Sequence, residues 1–449
     1  MEWFRHAAGT VPAYRAFLSE HGIDDPASVQ TLEQIPPMTK ESYVDRWPLV
    51  TRLAGGSFSG ANVVSRSSGS GGRARTWPRA SAEHAVGADL YEPLMVDELH
   101  ADRRDVLCVV AFAMGTWIAG TYTAAALAAL AERGLRICVA TPGIVVEEIV
   151  DVLKDLAPQF GATLVLGYPP FVRTALTQAR AAGVDLRALD VSCAYSGEGV
   201  TESFRDGIAA LVGRPDEPTR LLGVYGAADI GLIGTETSAC VALRRAMATD
   251  PELLAELAGG QVSLPALFVT DSRHRHVEAE AGKLLFTVGG AMPLVRYDLG
   301  DGGTIVDGRL ARERTGLPLP DRLIALRGRD DVSAMFYGIN LYVEQFKEAL
   351  QPLVADGTLT GRFTASVGDG DDGEPRLRLV VERDGNGAAP SIRGVGECVL
   401  EHLLATSSEM RSLLAAIGKD AARPHVELVP SGRDEAFPQR RGKHQWITQ

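Results

Sequence analysis

Residues Ser65–Arg75, SRSSGSGGRAR, combine four serines, three glycines and three arginines without a large apolar side chain. In such a loop, backbone N–H groups and serine hydroxyls can surround a polyphosphate, glycine lets the backbone approach closely, and arginine adds positive charge. GSGGRA also fits the GxGxxA dinucleotide fingerprint, but that motif must open a helix, whereas Pro78 follows here. A flexible surface loop is equally typical of serine- and glycine-rich sequence. Composition alone leaves the polyphosphate loop and the surface loop open.

Other catalytic patterns are missing from the sequence. It contains no GxSxG nucleophile elbow, no HExxH metal motif and no GxxxxGK[ST] phosphate loop. The RHRH run at Arg273–His276 is expected to alternate faces on a strand or loop and not to bind a metal. Ser65–Arg75 therefore stays the strongest starting point for a function.

The elements that must position this chemistry alternate regularly from about residue 105. Buried strands are predicted at DVLCVVAFA, LRICVA, ATLVLGY, LDVSCAYSGEG and RLLGVYGAAD, and helices at TYTAAALAALAERG, IVVEEIVDVLKDLA, PFVRTALTQARAAG and from about Thr201. Strands and helices that alternate in this way indicate parallel βαβ units. Active groups are then expected in the loops that follow the strands.

The pattern of predicted secondary structure changes twice further along the chain. After about residue 262 it becomes strand-rich, and the last part predicts helices at YVEQFKEALQPL and Val399–Ile417 with strands at RFTASVG, RLRLVVERD and HVELVP. We therefore predict an α/β fold: a large N-terminal domain, residues 1–328, with βαβ-built sheets and a β-rich subdomain, and a small α+β domain, residues 329–449.

Composition limits the function classes. The chain has 449 residues and a formal net charge of -12, which argues against nucleic-acid or anionic-membrane binding, because both need clustered Lys and Arg. Its five cysteines form no CxxC pair, so we expect mostly buried free thiols. No signal peptide or membrane-length apolar run is present, and we expect a soluble cytoplasmic protein.

Six motifs occur in an order that resembles one known superfamily. SSGSGGRAR resembles (T/S)SGTTGxPx, SGEG at Ser196–Gly199 resembles GAE, VYGAADIG at Val224–Gly231 resembles YGxTE, LVRYDLGD at Leu294–Asp301 resembles YRTGD, RGRDD with GINLYVEQ resembles GRxDD…GxNVxPxxIE, and RRGKHQW contains the C-terminal GK. The chain thereby resembles the adenylate-forming superfamily of acyl-CoA synthetases, nonribosomal adenylation domains and luciferases. The GxN junction, the short length and the start VPAYRAFL…PPMTKESY are similar to its phenylacetate-CoA ligase-like branch.

This resemblance implies an ATP- and Mg²⁺-dependent ligase that converts a small carboxylic acid into an acyl-adenylate. The implied phosphate-binding residues are Ser67, Ser68, Gly69, Ser70, Gly71, Gly72 and Arg73, where Arg73 replaces the usual lysine. Those expected around the adenine are Gly197, Glu198, Tyr225 and Gly226. Asp301 is expected to accept hydrogen bonds from the ribose hydroxyls, and Asp229 stands where the superfamily has a metal-binding glutamate.

The resemblance also assigns roles in the small domain and in the acid pocket. Lys443 is expected to bridge the carboxylate and the α-phosphate, and Arg329 to reach the ribose or phosphate. Asp331 is expected to be the hinge about which the small domain moves as a lid. The expected acid-pocket residues are Met114, Trp117, Tyr168, Tyr195 and Ala227, although core packing explains a single such side chain equally well.

The acyl acceptor stays open at this stage. CoA is implied first, while a carrier-protein thiol or an amine is the alternative because no CoA-specific motif is evident. A non-catalytic nucleotide-binding homologue is a second alternative, suggested by Arg73, by Asp229 and by the loss of the usual threonine in DLGD. A homodimer is a further open expectation.

Overall fold

A computed structural model describes residues 1–66, 75–197, 199–259, 264–329, 333–336, 339–369, 375–384, 390–406, 410–411, 414, 418–437, 439–440 and 443–448. The chain divides into two compact units. The first comprises Met1–Glu198 and Ile208–Gly328, and the second comprises Gly199–Gly207 and Arg329–Gln449. The short segment Gly199–Gly207 thus clusters with the second unit, although the sequence-based boundary assigned it to the first.

The helices lie throughout the described chain. They are α1 Glu2–Thr10, α2 Pro12–Glu20, α3 Glu83–Pro93, α4 Ile118–Glu132, α5 Val146–Asp151, α6 Pro169–Ala181, α7 Glu202–Leu211, α8 Ser238–Thr249, α9 Pro251–Ala258, α10 Gly308–Thr315, α11 Val343–Ala355, α12 Ile392–Thr406 and α13 Lys419–Ala422. Single helical turns connect several of them, including Lys40–Val44 and Leu49–Arg52.

The strands occur in both units. They are β1 Val63–Arg66, β2 Thr76–Arg79, β3 Val106–Ala111, β4 Ile137–Ala140, β5 Ala162–Gly167, β6 Val191–Tyr195, β7 Leu221–Ala227, β8 Gly231–Thr235, β9 Ala266–Phe268, β10 His276–Glu280, β11 Lys283–Val288, β12 Leu294–Asp307, β13 Arg322–Arg329, β14 Ser333–Phe336, β15 Ile339–Tyr342, β16 Leu359–Asp369, β17 Pro375–Arg383, β18 His425–Pro430, β19 Gln439–Arg440, β20 Lys443–His444 and β21 Ile447–Thr448.

A largely parallel sheet forms the centre of the first unit. Among the described residues it has six strands in the order β4-β3-β5-β6-β7-β8, and only the pairing of β7 with β8 is antiparallel. Strands β3, β5 and β6 are buried along their whole length, as expected of parallel strands that helices cover. In α4, Tyr122, Ala126 and Leu130 recur at helical spacing and are buried.

A second sheet in the same unit is antiparallel in its recorded pairings. Its strand order within the described residues is β10-β11-β12-β13-β9. A core of apolar side chains from α1, α2 and this sheet includes Phe17, Tyr43, Phe286 and Tyr297. A bridge between Thr235 and Val269 connects the end of β8 to the segment that follows β9. The two sheets therefore meet at the end of β8 that lies away from its turn with β7.

The second unit has its own core. In its described residues a sheet of order β18-β17-β16-β21 packs with α11 and α12 through apolar side chains such as Phe346, Phe363, Val399 and Trp446. Two short hairpins, β14 with β15 and β19 with β20, belong to the same unit.

The α/β architecture that the sequence predicted is confirmed. The helix predicted at Val399–Ile417 begins earlier than expected, because α12 spans Ile392–Thr406. Met410, Arg411 and Leu414 are also helical, and the other residues of the predicted range after Thr406 lie outside the described residues. Gly394 and Gly396 have poor helix propensity and hid the true start from sequence analysis, whereas burial of Val395 within the core favours the helix there.

Two further expectations concern the cysteines and the membrane-spanning helices. Cys108, Cys193 and Cys240 are buried, as expected, whereas Cys138 is exposed and Cys398 is partly buried. In the portion of the chain that the structure covers, no helix has the length and apolar character needed to cross a bilayer.

Candidate functional site

The predicted site residues of the first unit gather at the carboxyl edge of the parallel sheet. Met114 and Trp117 follow β3, Tyr168 follows β5, Tyr195 ends β6 and Ala227 ends β7. Ligands of open α/β sheets bind outside the carboxyl ends of the strands. The fold therefore brings these side chains to the edge where a ligand is expected.

The serine- and glycine-rich stretch is flanked by an antiparallel hairpin. Strands β1 and β2 pair Arg66 with Thr76. The Arg66 N–H donates to the Thr116 carbonyl oxygen at 2.8 Å, which fixes the end of β1 beside the residues that precede α4. The phosphate-binding residues predicted at Ser67–Arg73 lie outside the described residues, so their role stays a prediction.

Arg75, at the start of the return strand, is held by a bidentate ion pair. Its Nε donates to Asp45 Oδ1 at 2.8 Å and its Nη2 to Asp45 Oδ2 at 2.5 Å. These hydrogen bonds raise the pKa of Arg75 above its usual value. Bidentate pairing of a guanidinium with a carboxylate is geometrically specific as well as strong, so the residue that follows the loop has a defined position.

Tyr225 and Asp301 form a buried hydrogen bond. The Tyr225 hydroxyl donates to Asp301 Oδ2, and the two residues are only 6% and 7% exposed. The Tyr225 ring lies against Phe268, with ring centroids 5.2 Å apart, and meets Phe286 edge-on at 6.1 Å. The residues that the sequence predicted for the adenine and the ribose are thus brought together.

Asp229 lies in the turn between β7 and β8 and has two partners on one carboxylate oxygen. Tyr297 Oη donates to Asp229 Oδ2 at 2.6 Å, and Lys40 Nζ lies 3.8 Å from the same oxygen. The Lys40 ammonium also lies 3.5 Å from the Leu299 carbonyl oxygen. The side chains of Lys40 and Asp229 are 16% and 6% exposed, so solvent screens this pair only partly.

Arg79 adds a second buried cation behind the same turn. Its Nη2 donates to the Ala228 carbonyl oxygen, and its Nε lies 3.8 Å from Glu83 Oε2. Burial lowers the pKa of Arg79, although the carboxylates of Glu83 and Asp229 oppose this effect. Nη1 has no hydrogen-bond partner in the described structure. Arg79 therefore adds positive charge next to Asp229 that its hydrogen bonds only partly satisfy.

The predicted acid-pocket residues pack around glycines. A Cβ on Gly197, which has φ of +100°, would lie 3.4 Å from the Tyr168 ring. A Cβ on Gly120 or on Gly143 would likewise contact the Met114 side chain. Tyr195 is buried. The absence of side chains at these glycines leaves room for the pocket residues at the strand ends.

Asp229 fits one type of metal site. No group of three or more His, Cys, Asp or Glu that could hold a metal occurs in the described residues. Tyr297 and Lys40 both contact Asp229 through its Oδ2. Mg²⁺ is commonly bound by one or two carboxylates together with water and substrate phosphates. Asp229 could thus supply one ligand to a metal that a nucleotide also binds.

The predicted residues of the second unit are only partly described. Arg329 is the last residue of β13, and Lys443 opens β20, where its backbone pairs with Arg440. The next residue, His444, places its ring 4.4 Å from Trp446 and hydrogen-bonds the Phe363 carbonyl oxygen through Nε2. Glu198 and Asp331 lie outside the described residues, so their roles stay predictions.

Three residues around Asp229 were not predicted from the sequence: Lys40, Tyr297 and Arg79. Tyr297 lies within LVRYDLGD, but only Asp301 of that motif was given a role. Lys40 lies in PPMTKESY, which served only to identify the branch. A lysine at the start of a Thr39-capped helical turn resembles any surface lysine, and its contact with Asp229 depends on long-range folding.

Comparison with solved structures identifies the fold. A crystal structure of 2-hydroxyisobutyryl-CoA ligase in the postadenylation state, in complex with 2-HIB-AMP, matches with a TM-score of 0.65 at 18% identity, covering 100% of this chain and 87% of that chain. The amide bond synthetase McbA from Marinactinospora thermotolerans matches with a TM-score of 0.51 at 14% identity, covering 85% of this chain and 67% of that one. The anthranilate CoA ligase AuaEII, in complex with anthranoyl-AMP, matches with a TM-score of 0.51 at 15% identity, covering 85% and 65%.

Sequence comparison adds no further relative: no protein-family model matches the chain, and no curated protein sequence matches it. The structural matches span the whole chain or most of it, and they include CoA ligases and an amide bond synthetase. The chain therefore has the fold that these CoA ligases and the amide bond synthetase share, which is the fold that the order of its motifs predicted.

Proposed function

We propose that the chain is an ATP-dependent ligase that activates a carboxylic acid as an acyl-adenylate and then transfers the acyl group. Two carboxylates near the carboxyl end of β7 carry this proposal. Asp301 accepts a hydrogen bond from Tyr225 of β7, and Asp229 lies in the turn after β7 with Lys40 beside it. Asp301 suits ribose hydroxyls, and Asp229 suits a metal or a fixed cation. Together they match the ribose and the phosphates of a nucleotide.

The proposed first step overcomes the poor reactivity of a carboxylate. A carboxylate oxygen of the acid attacks the α-phosphorus of ATP, the bond to the β-phosphate oxygen breaks, and pyrophosphate leaves with that electron pair. The product is a mixed anhydride of the acid and AMP. Such a reaction requires positioning and charge neutralisation more than acid–base catalysis.

The nucleotide roles follow the motifs and the contacts around them. Asp301 accepts hydrogen bonds from the ribose, with Tyr225 and Gly226 beside it and Gly197 and Glu198 on the adenine side. Ser67–Gly72 and Arg73 bind the β- and γ-phosphates. Lys40, whose ammonium lies near both Asp229 and the Leu299 carbonyl, supplies a fixed positive charge to the phosphates.

Asp229 is the proposed protein ligand of Mg²⁺, through the oxygen that Tyr297 and Lys40 do not use. When bound, the metal would neutralise phosphate charge. Because Lys40 lies 3.8 Å from this carboxylate and Arg79 interacts with it electrostatically, the chain itself supplies part of that neutralisation.

The second unit contributes the proposed catalytic lysine. Lys443 bridges the acid carboxylate and the α-phosphate during adenylation, Arg329 contacts the ribose or phosphate, and Asp331 is the hinge. Movement of this unit as a lid would withdraw Lys443 before the second step. The support for this assignment is the GK of the C-terminal RRGKHQW segment.

An apolar or aromatic acid is the proposed substrate class. Met114, Trp117, Tyr168, Tyr195 and Ala227 lie at or just after the strand ends that border the carboxyl edge. Apolar and aromatic side chains with few polar groups are typical of small-molecule pockets. The positions and the apolar or aromatic character of these five side chains support this substrate class.

CoA is the proposed acyl acceptor. The support is the likeness in fold to 2-hydroxyisobutyryl-CoA ligase, which also matches in an open conformation with 2-HIB-AMP and CoA at a TM-score of 0.55. An amine is the alternative, favoured by the likeness to an amide bond synthetase, and a carrier-protein thiol is a third acceptor class.

The test is carboxylate-dependent exchange of labelled pyrophosphate into ATP across a panel of aromatic and aliphatic acids. Exchange with at least one acid is expected. No exchange with any acid would contradict catalysis and favour a non-catalytic nucleotide-binding protein. Adding CoA, a carrier protein or an amine to the active acid then identifies the acceptor by the product formed.

A further inference from the structure

Tyrosine and aspartate residues form a crossed pattern at the junction of the two sheets. Asp229 lies four positions after Tyr225, and Asp301 lies four positions after Tyr297. Each tyrosine hydrogen-bonds the aspartate of the other segment: Tyr225 donates to Asp301, and Tyr297 donates to Asp229. The two hydrogen bonds thus run in opposite directions between the same two segments.

The two segments belong to different sheets. Tyr225 is in β7 of the parallel sheet and Asp229 is in the turn after it, whereas Tyr297 and Asp301 both lie in β12 of the antiparallel sheet. The crossed hydrogen bonds therefore connect two sheets that no strand pairing joins at this point in the described residues. The backbone of β12 is irregular between these two residues, where Gly300 has φ of +85°, and the two hydrogen bonds show that Tyr297 and Asp301 both reach toward the β7–β8 segment.

The rings of both tyrosines are held in place. Tyr225 packs against Phe268 and Phe286 and is 6% exposed. Tyr297 is fully buried, and its strand is paired with Met38, whose N–H donates to the Arg296 carbonyl at 3.1 Å. A hydroxyl on a fixed ring can orient a carboxylate without moving itself.

We propose that these crossed hydrogen bonds act as a brace, in which Tyr225 and Tyr297 are positioning residues for the two nucleotide-binding carboxylates. Tyr225 acts through Asp301 on the ribose, and Tyr297 acts through Asp229 on the phosphates. The brace fixes the separation of the two carboxylates across the sheet junction. This inference rests on the proposed nucleotide function, and it gives Tyr225 a role beyond a contact with the adenine.

The experiment measures nucleotide binding by calorimetry for the wild type, Tyr225→Phe and Tyr297→Phe. The ligands are ATP, 2′,3′-dideoxy-ATP and AMP. Tyr225→Phe should weaken ATP about tenfold, the loss expected for one hydrogen bond to a charged group, and should leave dideoxy-ATP unchanged. Tyr297→Phe should weaken ATP and dideoxy-ATP by similar factors and leave AMP unchanged.

Tyr91→Phe is the matched control. Tyr91 is also buried and shares a 3.0 Å hydrogen bond with Thr123, but it belongs to the core of the parallel sheet. The control should change the melting temperature without changing any nucleotide Kd. Melting temperatures of all variants show whether each one is folded at the temperature of the binding measurement. If Tyr225→Phe is not folded there, Asp301→Asn keeps the test open, and it should weaken ATP but not dideoxy-ATP.

The possible outcomes separate this inference from the proposed function. If the wild type binds no ATP, the nucleotide function itself is refuted. If the wild type prefers ATP over dideoxy-ATP and Tyr225→Phe keeps that full preference, the brace is refuted while the function stands. Equal weakening of all three ligands by each variant would also refute the brace, because it would indicate a structural role alone.

Discussion

Replacing Lys40 by methionine should impair nucleotide chemistry in a protein that still folds. The ammonium lies 3.8 Å from Asp229 Oδ2, in a pair whose side chains are 16% and 6% exposed. Two unit charges about 4 Å apart interact by roughly 4 kcal/mol at an effective dielectric constant of 20. Removing one partner of a largely buried ion pair leaves the other charge buried and unpaired, which typically costs about 3–5 kcal/mol. Because Asp229 keeps the hydrogen bond from Tyr297, we expect the free energy of unfolding to fall by about 3 kcal/mol or less.

The reaction should also lose activity, because the phosphates carry several negative charges that Lys40 would no longer neutralise. A hydrogen bond to a charged group contributes about 1.5–3 kcal/mol, and each 1.36 kcal/mol changes a rate tenfold. Lys40→Met should therefore lower kcat/KM for ATP in the exchange assay by about 10- to 100-fold. The assay is run at saturating acid with varied ATP, beside thermal unfolding of the same preparation.

Lys283→Met is the matched control. Lys283 Nζ forms a closer ion pair, 2.9 Å from Asp298 Oδ2, but the Lys283 side chain is 50% exposed. This variant should keep kcat/KM within about twofold of the wild type, since exposed pairs contribute about 0–1 kcal/mol. Equal losses in the two variants, or full activity of Lys40→Met, would refute the assignment of Lys40.

Three further predictions concern other parts of the chain. Lys443→Ala should abolish adenylate formation while sparing acyl transfer from a presynthesised adenylate, and equal loss in both half-reactions would count against its role. Burial lowers the pKa of His444 from 6.5 to about 4, so the unfolded chain protonates first as the pH falls. The resulting stabilisation is complete above pH 6.5 and is lost toward pH 4, by up to about 3 kcal/mol. His444→Phe should flatten that part of the unfolding profile, and an unchanged slope would argue that His444 is not responsible. Gly197→Ala should lower the unfolding free energy by about 1–3 kcal/mol, because φ is +100° there. Gly207→Ala in α7, whose Cβ would meet no atom within 4 Å, should be neutral or stabilising in the same melts.

The fold could be predicted from local patterns. Apolar runs such as Val106–Ala111 and Val191–Tyr195 are buried along their length, and the intervening helices show helical periodicity. Both signals depend only on neighbours in sequence. The start of α12 was mispredicted because Gly394 and Gly396 weaken the local signal, whereas tertiary burial determines the helix.

The candidate site was predictable only where a motif carried the residue. Asp301, Tyr225 and Asp229 were found through the order of the motifs, and the structure brings Tyr225 and Asp301 into hydrogen-bonding contact. Tyr297 and Lys40 were missed, because their contacts with Asp229 join segments far apart in the chain. Sequence spacing cannot show which distant side chains share one carboxylate oxygen.

The most direct test of the central claim is a crystal structure of the protein with a non-hydrolysable ATP analogue. The ribose hydroxyls should lie within hydrogen-bond distance of Asp301, about 2.6–3.2 Å, with the phosphates beside Lys40 and Asp229. A nucleotide bound away from the carboxyl edge of the parallel sheet, or turned so that its ribose does not reach Asp301, would contradict the account.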